Sequence, residues 1–584
     1  MEIIPEQGVI TEKNIMVPMR DGVRLATDVY RPDNEEAVPT LLTRLPYDKG
    51  NLYFLILNFD AAWALQNGYA IVVQDTRGRF ASEGTFSPGE HEATDGFDTL
   101  AWIASQPWSN GKVGMFGESY QALTQWQTAV EQPTALRTIA PMHAPFNLTY
   151  FYQNGAFLLG LFLWWAFHDG ALAEVQRRLP QGRATEADVQ GIMQALNSMQ
   201  QQYEHLPLAD MPLLRDTAPY YQDWLTSVSK AAKNQSTQPK SYQDITVPTL
   251  NIGGWFDPFF THVIKHYQRM KQEGGSALAR QQARLIIGPW AHIDFPENFP
   301  ERHYGPKASV FANLPALQQR WFEHWLKGIE NGVEQEKPVS IFVMGADNWR
   351  DEDAWPLPDT RYRPFYLHSQ GRANRATGDG FLSISAPLEE PADVYCYDPR
   401  NPVPTVGGAV LIQETTKSPF NWGPRDQQDV EKRADVLCYT SEALRQPVEV
   451  TGPLELILYI SSSARDTDFT GKLVDVYPDG RAEILTDGIL RARYRESLAA
   501  PVLMEPGQIY ELHLDLGATS NLFKEGHRIR LEVSSSNFPR FDRNTNTGGN
   551  IYMESTENLV QATNYVYHDQ HHASHLLLPM IERT

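Results

Sequence analysis

Cysteine is almost missing from this chain. Two thiols, Cys396 and Cys438, occur in 584 residues. That is too few for a disulfide framework, so folding does not depend on an oxidising compartment. Both sit in β-rich runs (Val394-Tyr395-Cys396-Tyr397 and Val436-Leu437-Cys438-Tyr439), which reads as two buried free thiols. Runs of Lys and Arg are missing too. With a formal net charge of −21 and a pI near 5.2, the surface repels phosphate backbones, which argues against a nucleic-acid partner. Long apolar runs are also lacking. The most apolar stretch, Ala156 to Phe167, stops at His168 and Asp169. It is too short to span a bilayer and suits a buried or pocket-lining helix, so no membrane partner is expected. Met1 to Glu6 carries neither a basic n-region nor an apolar h-region, and a cytoplasmic location follows as the expectation.

Hydrophobic residues are 42% and charged residues 21% of the chain, as in ordinary core-burying proteins. The length suits roughly three domains. Up to about Leu148, strand and helix signals alternate. Gly68 to Asp75 is a continuous apolar run ending in a polar turn, Glu92 to Ser105 has helical spacing, Val113 to Gly117 is a short strand, and Gln121 to Glu131 is helical. From Thr149 to Gln243 the strand signals vanish. Leu158, Leu161, Phe162 and Trp165 share one helical face, and Ala184 to Gln202 is a second helical stretch. Strands return at Val247 to Gly253, Ala283 to Gly288 and Val339 to Met344, the last of the series, with a helix over Leu314 to Lys327. After Asp353 short alternating strands dominate. The fold class is therefore α/β: a core in two parts (1–148 and 244–352), an inserted helical cap (149–243), and a C-terminal all-β sandwich or jelly roll (353–584).

Between the strand ending at Gly117 and the following helix lies Ser119. Strand, tight turn and helix form the setting of a nucleophile elbow, where the backbone N–H of Tyr120 can stabilise an oxyanion. The same residues also describe a capping serine at an ordinary helix start. A serine nucleophile needs a base, and the base an orienting acid. Asp257, in Gly254-Trp255-Phe256-Asp257, and His292, in Gly288-Pro289-Trp290-Ala291-His292, each follow a strand, in the order Ser, Asp, His of α/β-hydrolases. Asp75 also ends a strand, and His262 and His266 lie nearby on a helical stretch, which points to surface or core roles for that pair.

At these residues the chain resembles the bacterial cocaine esterase-like hydrolases of the X-Pro dipeptidyl-peptidase (S15) superfamily, a group that includes α-amino acid ester hydrolases and glutaryl acylases. The resemblance runs through Val17 to Val23, Pro46-Tyr47-Asp48-Lys49, Gln74 to Gly78, Gly114 to Tyr120, Gly288-Pro289-Trp290 with His292, Phe469 to Asp475, Ser534 to Pro539 and Asn546 to Gly549. It implies Ser119 as nucleophile, His292 as base and Asp257 as its partner. It adds Tyr47, whose phenol would join the Tyr120 N–H in the oxyanion hole; unaided, Tyr47 reads as a loop aromatic. Two positions depart from the pattern. Ala122 replaces a usual glycine, and Glu118, beside the nucleophile, replaces a commonly apolar residue and either alters the local electrostatics or points into solvent.

The resemblance places an acyl pocket near Trp165, Phe259, Leu411 and Ile412, with Tyr152 as a looser candidate, and implies an aromatic or bulky apolar acyl group. No acidic cluster aligns with the amine-binding carboxylates of the amino acid ester hydrolases, which favours a plain ester over an amide or X-Pro dipeptide. The C-terminal histidines His568, His571, His572 and His575 carry no metal-site pattern and read as a polar surface loop. The expectation is a serine hydrolase acting on a small-molecule ester through an acyl-enzyme, with no cofactor and no metal. The resemblance is also compatible with a homodimer. A carbohydrate-binding protein acting through the β domain is the reading outside enzymes.

Overall fold

The computed structural model describes residue 4 and residues 7–145, 151–226, 241–293 and 298–582. Met1 to Ile3, Pro5, Glu6 and the Leu148/Thr149 boundary lie outside the described residues. The first part of the chain forms a ten-stranded sheet from β1 (Val9–Pro18), β2 (Arg24–Pro32), β3 (Val38–Leu45), β4 (Ala70–Asp75), β5 (Ser109–Glu118) and β6 (Leu136–Met142). After a two-stranded hairpin, β7 (Tyr152–Gln153) and β8 (Ala156–Phe157), the sheet is completed by β9 (Thr249–Phe256), β10 (Ala283–Ala291), β11 (Val339–Val343) and β12 (Asn348–Glu352). The order is β1-β2-β4-β3-β5-β6-β9-β10-β11-β12. Pairings from β4 to β11 are parallel, and both edges are antiparallel.

The pleat explains why the central strands read as unbroken apolar runs. Leu42, Val72 and Met115 enter one core, while their neighbours Leu41, Ile71 and Phe116 enter another on the opposite face. Helices cover both faces. The chain runs from β3 outward to β4 and then crosses back to β5 on the other side of β3. That reversal opens a crevice at the carboxyl ends of the strands, where open α/β sheets bind ligands.

The segment between β6 and β9 is the cap. It is mainly helical but opens with the β7–β8 hairpin, so strands do not vanish from it altogether. The apolar face of Leu158 to Trp165 forms a helix over Leu159–Trp165 that continues as a π-helix, Ala166–Leu172, and then as Ala173–Arg178. The stretch expected as one helix over Ala184 to Gln202 is two, Glu186–Leu196 and Met199–Glu204, separated at Asn197 and Ser198. Among the described residues, no helix is long and apolar enough to cross a membrane.

Residues after 353 build an all-β unit whose strands join one 11-stranded sheet, as the short alternating runs imply. Its longest strand, Val448–Ser462, pairs with Tyr510–Phe523, Ala562–Tyr567 and His575–Ile581.

Several local expectations need correction. β11 is not the last strand of the core, because Asn348–Glu352 pairs antiparallel to it. The helix expected from Leu314 starts at Val310 and turns into a π-helix over Glu323–Lys327, ended by Gly328 in the left-handed region. Cys438 is buried but Cys396 is exposed, because Asp393–Tyr397 alternates its burial and turns Val394 and Cys396 outward. His568 does not sit on a surface loop. It is wholly buried, with its Nε2 at 2.9 Å from Asp393 and its Nδ1 at 3.2 Å from Glu390.

The cap and the β unit are clamped by buried charge. Arg491 meets Asp468 through Nε and Nη2, both at 2.9 Å, and Asp542 through Nη1 at 3.0 Å, with all three side chains buried. Asp542 also accepts the N–H of Phe157 in the cap hairpin at 2.6 Å, and the Arg491 N–H donates to the Asn154 carbonyl at 3.1 Å. Removing the cation would strand two carboxylates without water. Arg491→Met is therefore expected to lower unfolding stability by about 3–5 kcal/mol in urea denaturation, and an unchanged midpoint would contradict this account.

Candidate active site

β5 ends at Glu118, and the next helix starts at Tyr120. Ser119 between them has φ 56° and ψ −124°. A non-glycine residue held there costs on the order of 1–3 kcal/mol. Local hydrogen bonds hold it: the Ser119 N–H donates to the Met142 carbonyl at 2.9 Å, and its own carbonyl accepts the N–H groups of Ala122 and Leu123, each at 3.0 Å. Gly117, at φ 126°, leaves no room for a side chain, since a Cβ there would lie 2.6 Å from Gln121 Cβ. Gln121 folds back to accept the Glu118 N–H at 3.1 Å. Ala122 is fully buried, so the departure from glycine is absorbed by a side chain that remains small.

Neighbouring strands deliver the partners. Asp257 follows β9 and His292 follows β10. His292 Nδ1 lies 2.5 Å from Asp257 Oδ2, and His292 Nε2 lies 3.0 Å from Ser119 Oγ. With the proton on Nδ1 directed at the carboxylate, Nε2 accepts from the serine hydroxyl. Asp257 is fully buried, and its other oxygen accepts the Phe259 N–H at 2.7 Å. The other sequence candidates stand elsewhere. Asp75 accepts the N–H groups of Lys49 and Ala81, at 2.8 and 3.3 Å. His266 is buried between the Tyr242 hydroxyl and the Ala144 carbonyl, and His262 lies half-buried on the helix Phe260–Glu273.

Sequence reasoning missed His143. It follows β6 directly, is wholly buried at φ 49°, and places Nδ1 3.8 Å from Asp257 Oδ2. Its ring centroid is 5.9 Å from that of His292. The missed signal was its strand: Leu136–Met142 is as apolar as those beside it, and residues just past such strands line the crevice. Burial pulls the His143 pKa down to about 4, against the pull of Asp257, so this ring is neutral near pH 7. Burial also opposes a charge on His292. There the facing Asp257 carboxylate and its hydrogen bond, helped by Glu118 and Asp169, prevail and hold the pKa above the ordinary histidine value.

Tyr47 lies two residues past β3, the strand beside β5. Its hydroxyl hydrogen-bonds to Ser119 and accepts the Trp165 indole N–H at 3.3 Å. Burial pushes its pKa well up, so it stays a neutral donor. Tyr120 begins the helix, where backbone N–H groups have no intrahelical carbonyl to meet. Its phenol is occupied elsewhere, donating to Glu92 Oε1 and accepting the Gly89 N–H, both at 2.9 Å.

Ser119, His292 and Tyr47 open onto a cavity of about 350 Å³ between core, cap and β unit. Trp164, Trp165 and Trp224 line it from the cap, Phe259 from the loop after β9, and Leu411 and Phe420 from the β unit. Two of the expected pocket residues do not reach it. Ile412 faces away and packs against Gly160, where a Cβ would come within 2.6 Å of its Cγ1. Tyr152 sits one layer behind the wall, donating its hydroxyl to the Trp224 carbonyl at 2.5 Å. Glu118 does not point into solvent: it is buried and lines the cavity, as does Asp169. His143, Asp257 and His292 offer three ligand atoms within 4.8 Å of one another. The 2.5 Å contact between Asp257 and His292 is a hydrogen bond and leaves no room for an ion between them, so the residues do not fit a metal.

Residues 21–294 match the X-Pro dipeptidyl-peptidase (S15 family) domain, and residues 331–577 match the X-Pro dipeptidyl-peptidase C-terminal non-catalytic domain. The cocaine esterase of Rhodococcus sp. (strain MB1 Bresler) is 42% identical over 587 residues, covering 98% of each chain. Among solved structures, an α-amino acid ester hydrolase superposes with a TM-score of 0.72 at 25% identity, over 98% of this chain and 97% of that one. An aminopeptidase from the marine sediment archaeon Thaumarchaeota archaeon superposes with a TM-score of 0.76 at 24% identity, over 100% of this chain and 99% of that one, a likeness of fold.

The two histidines that face Asp257 should separate in an NMR titration of the imidazole resonances. His292 is expected to take up its proton above pH 6.5, and His143 only near pH 4. In Asp257→Asn the His292 value should fall, because burial then loses its main opponent. A His292 value that does not move would rule out the carboxylate as the cause.

Proposed function

Because the chain belongs to the X-Pro dipeptidyl-peptidase (S15) family, we propose that it is a serine carboxylic ester hydrolase, with Ser119 as nucleophile, His292 as general base and Asp257 as its orienting acid. The observation that carries this reading is the unbroken hydrogen-bond chain from Asp257 through His292 to Ser119, opening onto an aromatic cavity. His292 takes the Ser119 proton as Oγ attacks the ester carbonyl. The Tyr47 hydroxyl and the Tyr120 N–H hold the developing oxyanion, as two neutral donors prearranged beside Ser119. The tetrahedral intermediate collapses, His292 returns the proton to the departing alkoxide, and the alcohol leaves. Water, deprotonated by the same imidazole, then attacks the acyl-enzyme; the Ser119–acyl bond breaks as His292 returns the proton to Oγ, and the acid is released.

The acyl group this cavity suits is aromatic or bulky and apolar, because Trp164, Trp165, Phe259, Leu411 and Phe420 meet it on several sides. A second reading, an amide or amino-ester substrate with a free amine, draws on Glu118 and Asp169, two carboxylates on the wall of the same cavity. The ratio of kcat/KM on an uncharged aryl ester to that on an X-Pro anilide separates the two readings. An ester-hydrolase assignment requires the ester to win by orders of magnitude.

Ser119→Ala is expected to lower kcat on the aryl ester by about 10⁶-fold and to abolish labelling by a fluorophosphonate probe; wild-type turnover in this variant would end the proposal. For the wild-type protein, kcat/KM should rise with pH as His292 loses its proton, with the midpoint above 6.5. A midpoint well below that value would mean that another group is the base. Tyr47→Phe should lower kcat by about 10²-fold or more with little change in KM, as loss of one oxyanion donor does elsewhere.

A further inference from the structure

Arg79 is a buried cation that the reaction outlined above does not use. It lies in the loop after β4, in Thr76-Arg77-Gly78-Arg79-Phe80, and is 2% exposed. Among the described residues its guanidinium forms no salt bridge, and it spends its donors on backbone carbonyls of two separate elements. Nε donates to the Pro46 carbonyl at 3.0 Å, one residue before Tyr47. Nη2 donates to the Asp169 carbonyl, and Nη1 reaches the Gly170 carbonyl at 3.5 Å. Asp169 and Gly170 lie in the π-helix of the cap. A π turn is uncommon in a helix and often marks a functional position.

The aromatic packing follows the same line. The guanidinium lies 4.7 Å over the Phe86 ring. Phe86 in turn packs on Trp165 and Tyr120, with ring centroids at 6.3 and 6.1 Å. Trp165 donates its indole N–H to the Tyr47 hydroxyl. Arg79 therefore touches both ends of the loop-and-ring frame around that phenol, through the backbone before Tyr47 and through the cap helix that carries Trp165. The loop holding Arg79 is itself fixed, since Asp75 binds the N–H groups of Lys49 and Ala81, and Ser82 Oγ donates to the Asp75 carbonyl at 2.7 Å. A planar fork of fixed geometry, with its donors spread over three nitrogens, suits this bridging of two backbones better than a compact ammonium does.

We infer that Arg79 is a positioning residue that locks the Tyr47 loop to the cap π-helix and thereby holds the phenol at the oxyanion position. The inference rests on the reading of Tyr47 as an oxyanion donor. It makes Arg79 act on kcat through Tyr47, without touching substrate.

A double-mutant cycle tests it on a small aryl acetate, whose acyl group barely uses the cap wall. Arg79→Gln is expected to lower kcat about ten- to a hundred-fold with KM nearly unchanged, as small misplacements of catalytic groups do. In a Tyr47→Phe background the same substitution should lower kcat less than about twofold, because there is no phenol left to place. Should Arg79→Gln fail to fold, Arg79→Lys runs the same cycle, since it keeps the cation but not the fork. An Arg79 effect on kcat that is as large with Tyr47→Phe as without it would overturn the inference while leaving the oxyanion reading intact. Wild-type kcat in Tyr47→Phe alone would instead overturn the oxyanion reading, and this inference with it.

Discussion

One strained residue sets the terms for the rest of this molecule. Ser119 is held at a positive φ that L-residues avoid, and it stays there because the turn has no other way to close. A Cβ at Gly117 would collide with Gln121, the Ser119 N–H is fixed to the strand beside it, and the helix begins immediately afterwards. The result is a hydroxyl raised over the edge of the sheet. The strand order then decides what it can meet. Reading across the sheet, β3, β5, β6, β9 and β10 are neighbours, and the residues just past their ends are Tyr47, Ser119, His143, Asp257 and His292. Residues far apart in the chain converge because parallel strands end on one side.

The second constraint is dielectric. His292, Asp257 and His143 are all out of water, so each charge is decided by its neighbours. Two imidazoles flank one carboxylate, yet their pKa values move in opposite directions. His292 makes the short hydrogen bond and is drawn up, whereas His143 stands farther off and is drawn down by burial. Of the two, His292 is the ring that Asp257 helps to charge, while His143 stays neutral near pH 7. A neutral second imidazole beside the acid fills the space without competing for the serine.

How much of this could be read in the sequence depended on whether a residue's role is local. Ser119, Asp257 and His292 were legible because each ends an apolar strand, and strands are visible as runs. The α/β-then-β architecture was legible for the same reason. Tyr47 needed the family resemblance, since a loop aromatic has no periodicity to mark it. His143 could have been reached from the apolar run of β6, but nothing local says that its side chain turns toward Asp257. Cys396 and His568 depart from the sequence reading because burial at a sheet edge and in a domain core is set by partners far away in the chain: Cys396 turns outward on a strand paired with Ala562–Tyr567, and His568 is drawn in by Asp393 and Glu390. For Glu118 a one-dimensional reading left open whether it shapes the local electrostatics or points into solvent. It is buried because the cap closes over the turn that carries it.

The cavity that Ser119 opens onto is shared among three units. The strained turn and its partners belong to the α/β core, while half of the residues lining the cavity do not. Trp164, Trp165 and Trp224 come from the cap, and Leu411, Gln413 and Phe420 come from the β unit. Those two units are joined to each other by Arg491, Asp542 and the Phe157 N–H, a buried contact with no part in the chemistry. The wall can therefore change its aromatic surface without disturbing Ser119, and the sheet can keep its geometry while the wall varies. The two are not fully independent, however. The phenol of Tyr47 stands between a sheet loop and a cap indole, so the element best placed to stabilise an oxyanion also feels where the cap sits. On the proposed reading, specificity and rate share that one side chain, which makes the cap part of the active site and not a cover laid over it.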